Sequence, residues 1–190
     1  MIELSTQRLV LRPFVMDDVD ALHALWGDRE VRRYLFSGEV PAMERVVGIV
    51  EDSVRSFDSQ GYGFFSVRLS AAPEELIGFT GFRPFEDGDE VELLFAIAPP
   101  HWGRGYATEA TREALRFGFA ECGLSRVVAT TDTPNQRSVQ VLQRLGLFFD
   151  QRRERHGLDT VYFAMTVEEF GATQAVGRAG EARNGRVGVA

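Results

Sequence analysis

The 190-residue chain contains no lysine, so all 21 of its basic residues are arginine. That absence removes two chemistries. A Walker A loop needs its Gly-Lys-Ser/Thr end, and pyridoxal phosphate or Schiff-base catalysis needs a lysine amine. Cysteine is nearly absent as well, and a lone Cys122 forms neither an internal disulfide nor a thiolate zinc site. The three histidines, His23, His101 and His156, are scattered without metal-ligand spacing, so no metal is expected. No apolar stretch approaches the ~20 residues needed to span a bilayer. The opening MIELSTQRLVLRPF lacks the charged-then-apolar layout of a secretion signal, so the expectation is a cytoplasmic, reducing location with no membrane partner. Positive charge is also in deficit: 21 basic against 28 acidic residues leave a net −7. A sequence-independent nucleic-acid binder needs a basic face, so nucleic acid is not an expected partner either.

What is present is an ordinary globular balance, 44% hydrophobic and 26% charged. Residues 3–12 alternate apolar and polar through Leu9 and Leu11, which predicts a strand. Asp17 or Asp18 then reads as an N-cap for a helix carrying Val19, Leu22, Leu25 and Trp26 and ending at Gly27. A second helix is expected with Pro41 in its first turn, an apolar stripe through Met43, Val46, Val50, Val54 and Phe57, and a stop at Gly61. Period-two patterning follows at 65–69 and 77–82, with Pro73 and the acidic run Glu86–Glu90 as turns. Residues 92–98 are nearly all apolar, as expected of a strand covered on both faces. A helix at 107–122, a strand at 126–131, a helix at 135–145 and strands at about 147–153 and 158–166 complete the pattern. The order β-α-α-β-β-β-α-β-α-β-β describes one α/β domain over residues 1–170, with a mixed sheet of six to seven strands and about four flanking helices. The stretch 171–190 has ten Gly or Ala in twenty residues and no aromatic, and is expected to be a disordered tail.

The chemistry points to the junction Ile97–Ala110, IAPPHWGRGYATEA. An apolar strand runs into Pro99-Pro100, which end ladder pairing, then into a glycine-punctuated loop and a helix. Gly103, Gly105 and Ala107 let backbone N–H groups approach a ligand, and the first helical turn offers unpaired N–H groups and a positive dipole end. Such a junction cradles a pyrophosphate, with Arg104 placed to add a charge-assisted contact. A plain tight turn with a solvated Arg104 accounts for the same spacing.

A second segment, Thr133-Pro-Asn-Gln-Arg-Ser-Val-Gln-Val-Leu-Gln-Arg-Leu-Gly146, places Asn135 and Ser138 at a helix start. Together the two segments resemble the GNAT superfamily of acetyl-CoA-dependent N-acetyltransferases, and more narrowly its ribosomal-protein N-terminal acetyltransferase branch. The superfamily signature falls on Trp102, Gly105 and Ala107, with Trp102 in place of the usual Gln or Arg. The opening Thr6-x-Arg8-Leu-x-Leu11-Arg12 and closing Asp159-Thr-Val-Tyr-Phe-Ala-Met-Thr also fit, so the resemblance spans roughly residues 3–170. It implies acetyl-CoA as co-substrate, with the backbone of Phe95, Ala96 and Ile97 holding the pantetheine arm in a splay beside the 126–131 strand. It also implies that Trp102, Gly103, Arg104, Gly105, Tyr106, Ala107 and Thr108 hold the pyrophosphate, and that Asn135 and Ser138 approach the thioester. Many members carry an acidic tyrosine seven residues after the asparagine; here that position is Leu142.

Ser138 is then the first candidate for the acid that protonates the departing thiolate, its alternative being a helix-start hydroxyl that only binds. A primary ammonium with pKa near 10 costs about 4 kcal/mol to deprotonate at pH 7, which a base or a water chain helps supply. Glu92, at the start of the central strand, ranks first for that role, its alternative being a plain arginine partner; His101 reads better as an exposed loop residue and Glu109 as a helix-dipole or capping partner. Phe64, Phe65, Phe82, Phe85, Phe148 and Phe149 read as core or pocket rim, Tyr34, Leu35 and Phe36 as the opposite pocket wall, and Arg152, Arg153 and Arg155 as a solvated edge. The expected activity is acetyl transfer to a primary amine by a monomer or homodimer; the alternative is a non-catalytic acyl-CoA sensor that lost its acid. A dinucleotide dehydrogenase is disfavoured, since G-x-G-x-x-G is missing.

Overall fold

The computed structural model describes residues 2–85 and 90–174. The N-terminal alternation forms two strands, β1 (Leu4–Ser5) and β2 (Leu9–Pro13), where one was expected. The break is a turn in which Thr6 N–H donates to Leu9 O and the Thr6 hydroxyl accepts Leu9 N–H. A threonine oxygen that competes for backbone groups in this way displaces ladder pairing. The chain continues through α1 (Val19–Gly27), α2 (Arg29–Arg32) and α3 (Met43–Gln60). Asp18 does precede α1, but its carboxylate turns back to accept Val15 N–H and pairs with Arg68 at 2.5 Å. Pro41 lies ahead of the N-cap of α3, Ala42, and not in its first turn.

The remaining elements are β3 (Phe64–Leu69), β4 (Ala72–Pro84), β5 (Val91–Ile97), α4 (Tyr106–Ala120), β6 (Arg126–Asp132), α5 (Gln136–Leu145), β7 (Phe148–Arg155) and β8 (Leu158–Thr166). Pro73 sits inside the start of β4, because residues 70–71 make the hairpin turn; a strand's first residues tolerate a missing donor. Of the acidic turn expected at 86–90, residues 86–89 lie outside the described residues. The final helix, α6 (residues 167–174), was not foreseen. It opens with a capping box: Thr166 N–H donates to the Glu169 carboxylate and Glu169 N–H to the Thr166 hydroxyl. Phe170 anchors it in the core against Phe119, ring centroids 5.2 Å apart. The boundary expected at Gly171 therefore falls within a helix, and residues 175–190 lie outside the described residues.

The eight strands form one sheet in the order β1-β2-β3-β4-β5-β6-β8-β7, one strand more than the upper expectation. All neighbours are antiparallel except β5 and β6, which α4 joins as a parallel crossover. On one face, Phe14, Phe64, Phe79 and Leu94 pack with Trp26 and Leu22 of α1 and Val46 and Val50 of α3. On the other, Phe82, Leu93, Ala129 and Phe163 pack with Ala114 and Leu115 of α4 and Leu142 and Leu145 of α5. Phe148 and Phe149 belong to neither: at 58% and 61% exposed on edge strand β7, they are not core, the first of the two readings for them.

Candidate active site

The parallel pair β5 and β6 stays in register only at Val91–Val127 and Glu92–Val128. Beyond that crotch the strands diverge, and a cleft of about 940 Å³ opens between them. Leu93 to Ile97 of β5 line one wall and Ala129 to Thr131 of β6 the other. Tyr34 and Leu35 close the cleft from the α2 side, as expected; Phe36 packs instead on Trp26, ring centroids 5.4 Å apart.

At the cleft mouth the chain leaves β5 through a 3-10 turn at Pro99–His101. Trp102 folds back to donate its indole N–H to Ile97 O at 2.5 Å. Gly103 and Gly105 adopt φ of +73° and +80°, the left-handed region that a side chain resists, and Gly105 caps α4. The first helical bond is Glu109 N–H to Gly105 O at 3.0 Å, so the N–H groups of Tyr106, Ala107 and Thr108 have no helical acceptor. Gly103, Gly105, Tyr106, Ala107 and Thr108 all line the cleft, so those donors and the helix dipole converge on it. This backbone fits a pyrophosphate. The Arg104 side chain is exposed and lies outside the lining.

Across the mouth, Asn135 caps α5. Its carbonyl accepts Ser138 N–H at 3.4 Å, while its amide donates to the Ser138 hydroxyl at 2.9 Å and to the Thr131 hydroxyl at 3.0 Å. Because Ser138 Oγ is an acceptor in that bond, its own proton is left to donate elsewhere. Leu142 is buried and lines the inner cleft, and α5 carries no tyrosine to present there.

Glu92 does not face the cleft and takes its alternative, an arginine partner. It is 2% exposed at the crotch and outside the cleft lining. One carboxylate oxygen takes Arg83 at 2.6 Å; the other takes the Thr130 hydroxyl at 2.8 Å and lies 3.5 Å from Arg155. The structure thus brings Ser138, Asn135, the β5 backbone and the glycine loop together, and leaves Glu92 behind the wall with both oxygens engaged. Arg155 accordingly is not on a solvated edge, although Arg152, paired with Asp159 at 2.5 Å, is exposed. His101, expected to be an exposed loop residue, is mostly buried and lines the cleft. Glu109 lies in the first turn of α4, where a helix-dipole partner sits, but it is also half of an ion pair with a remote residue: Arg8, in the turn between β1 and β2, at 2.5 Å. That contact escaped the sequence because nothing in spacing ties residue 8 to residue 109. The same holds for Arg137, whose guanidinium stacks over the Trp102 ring at 4.3 Å. Among the described residues, no group of three or more His, Cys, Asp or Glu could hold a metal, and no helix is long and apolar enough to cross a membrane.

Comparison with known proteins agrees with this geometry. The chain is 28% identical over 178 residues to the uncharacterized N-acetyltransferase p20 of Bacillus licheniformis, covering 88% of this chain and 97% of that one. It is 22% identical over 142 residues to the spermidine N(1)-acetyltransferase of Escherichia coli K12, covering 75% and 74%. The fold matches that of RimL, a ribosomal-protein α-N-acetyltransferase solved with coenzyme A, at a TM-score of 0.74 and 17% identity over 88% of this chain and 99% of that one. The model of the acetyltransferase (GNAT) domain matches residues 8–147, from the β1–β2 turn to the end of α5. On that match, which spans the loop and helix that build the cleft, the chain belongs to the GNAT acetyltransferase family.

Proposed function

We propose that this protein transfers an acetyl group from acetyl-CoA directly to a primary amine. The carrying observation is the splay beyond Glu92–Val128, which opens against a helix N-terminus whose N–H groups lack partners. The β5 edge at Phe95–Ile97, which β6 does not pair, suits a pantetheine arm bonded as an added strand, with the Ile97 carbonyl already held by Trp102, and the glycine loop suits its pyrophosphate. The amine attacks the thioester carbonyl, the carbon–sulfur bond breaks, and the departing thiolate takes a proton from Ser138, whose hydroxyl is restored by the proton that the attacking nitrogen loses. A β5 backbone N–H is positioned to stabilise the oxyanion, a contribution typically of about 3 kcal/mol. The ammonium proton leaves to water in the cleft, since both Glu92 oxygens are occupied. Relatives named for spermidine and for a ribosomal protein acetylate very different amines, so the acceptor is left at the level of a primary amine.

A thermal-shift titration with acetyl-CoA, against NAD and ATP as controls, tests this. A ligand at 100 times its Kd adds about 2.7 kcal/mol, a Tm rise of about 5–10 °C for a chain of this size. A rise with acetyl-CoA alone, lost in Gly105→Val, supports the assignment; no rise removes it. Binding without acetyl-CoA-dependent thiol release over a broad amine panel would instead favour the acyl-CoA sensor, the reading that the leucine at position 142 motivates.

A further inference from the structure

The turn between β1 and β2 lies far in sequence from the cleft, yet five of its hydrogen bonds end on the glycine loop and α4. Arg8 Nε and Nη2 both reach Glu109 Oε2, at 2.7 and 2.5 Å, and Nη1 donates to the Arg104 carbonyl at 3.0 Å. The Arg8 main-chain N–H and the Thr6 hydroxyl complete the set on Glu109 Oε1, at 3.1 and 2.6 Å. The guanidinium also stacks on Tyr106, 4.6 Å from its ring centre, and passes behind Gly105. Two consequences follow from peptide geometry and charge. In a trans peptide the C=O and the N–H of the next residue point in opposite directions. Holding the Arg104 carbonyl toward Arg8 therefore turns the Gly105 N–H the other way. Second, Glu109 is a carboxylate in the first turn of α4, the place where the proposed site must receive a doubly charged pyrophosphate. Unpaired, it would repel that group; paired in a fork, its charge is cancelled.

We infer that Arg8 is a positioning residue for acetyl-CoA: it orients the glycine-loop amides and neutralises Glu109, so that the N-terminus of α4 accepts the pyrophosphate. This rests on the function proposed above. The experiment measures acetyl-CoA affinity and steady-state kinetics for wild type, R8A, R8K, E109Q and R8A/E109Q. S-acetylpantetheine, which has the thioester but no pyrophosphate, serves as the second acyl donor. For R8A the expected result is a rise in KM and Kd for acetyl-CoA of roughly tenfold, the scale of one charge-assisted contact, with a much smaller change in kcat. The preference for acetyl-CoA over S-acetylpantetheine narrows by the same factor, which a general loosening of the fold would not produce. R8K keeps the charge without the fork and recovers only part of the affinity. R8A/E109Q binds acetyl-CoA more tightly than R8A, because no bare carboxylate remains. If folded R8A binds acetyl-CoA like wild type, or the donor preference is unmoved, the inference is overturned. If R8A/E109Q is no better than R8A, the charge half of it is overturned. Absence of binding by wild type would strike the proposed function instead, and is read separately.

Discussion

Ser138 at the cleft mouth and Glu92 at the strand crotch are the two candidates for proton transfer, and their hydrogen bonds suit them to opposite work. Ser138 receives the Asn135 amide and keeps a proton to give. Its replacement by alanine should lower kcat by about a hundredfold, at the low end for loss of a proton donor, with a smaller change in acetyl-CoA KM. An equal loss in KM and none in kcat would make it a binding hydroxyl. Glu92 is held by Arg83 and Arg155, and Glu92→Gln should act on stability. Arg83 is half exposed, so the cost is about 1–3 kcal/mol, seen as a Tm lowered by several degrees. If the variant instead keeps its Tm and loses the limb of the pH–rate profile that reports a base, Glu92 is catalytic after all. Cys122 is the third residue with a clear expectation. Burial, and then the Glu121 charge, push its thiol up to about 11, and its sulfur donates to Gly61 O at 3.2 Å. At pH 8 iodoacetamide should modify it about a hundredfold more slowly than a free cysteine. Comparable rates would show that the α4 end opens readily.

Among the elements, α4 and α6 are each held by contacts at one end. Burial raises the Glu109 carboxyl, but the hydrogen bonds from Thr6 and Arg8 outweigh it and hold the group below its ordinary value of 4.5. A carboxyl depressed in the folded state adds stability above its unfolded pKa and loses it as pH falls through the lower folded one. The Tm of the wild type should therefore drop more steeply below about pH 4.5 than that of Glu109→Gln; parallel curves would mean the clamp is absent in solution. For α6, a chain ended after Thr166 loses the Phe170 anchor and should be about 2–4 kcal/mol less stable than one ended after Gln174. Equal urea midpoints would make α6 an appendage. These elements also show what could be read beforehand. Hydrophobic period alone located α1, α3, α4, α5 and the central strands, because each buries one continuous face. It passed over α6, whose Thr166-x-x-Glu169 cap was visible but whose Gly- and Ala-rich continuation has little apolar pattern. The cleft loop was legible because glycine and proline act locally. The Glu92 ion pairs, the Arg8 clamp and the Arg137–Trp102 stack were not, because each joins side chains that only the sheet order brings near.

As a whole the molecule is one sheet in two pieces. Five antiparallel strands and three more meet only at Val91–Val127 and Glu92–Val128, with the Arg83–Glu92–Arg155 cluster at the joint. Residues 93–97 and 129–131 are paired with β4 and β8 on their outer sides, but the alternate amides that point into the opening lack the ladder that protects backbone amides elsewhere. Those amide hydrogens should exchange quickly in the free protein and slow markedly with acetyl-CoA. Exchange already slow without it would mean that the two pieces close on each other in solution. The same arrangement separates the two tryptophans of the chain. Trp26 is sealed among Phe14, Phe36 and Phe79, and Trp102 lies at the mouth beneath Arg137. Their emission can be told apart: the buried indole gives a blue-shifted, quencher-resistant signal, and the other one answers to acrylamide and to anything that lifts Arg137 off its ring. Occupancy of the opening can thus be followed optically, without a label, as the ratio of a changing lamp to a constant one.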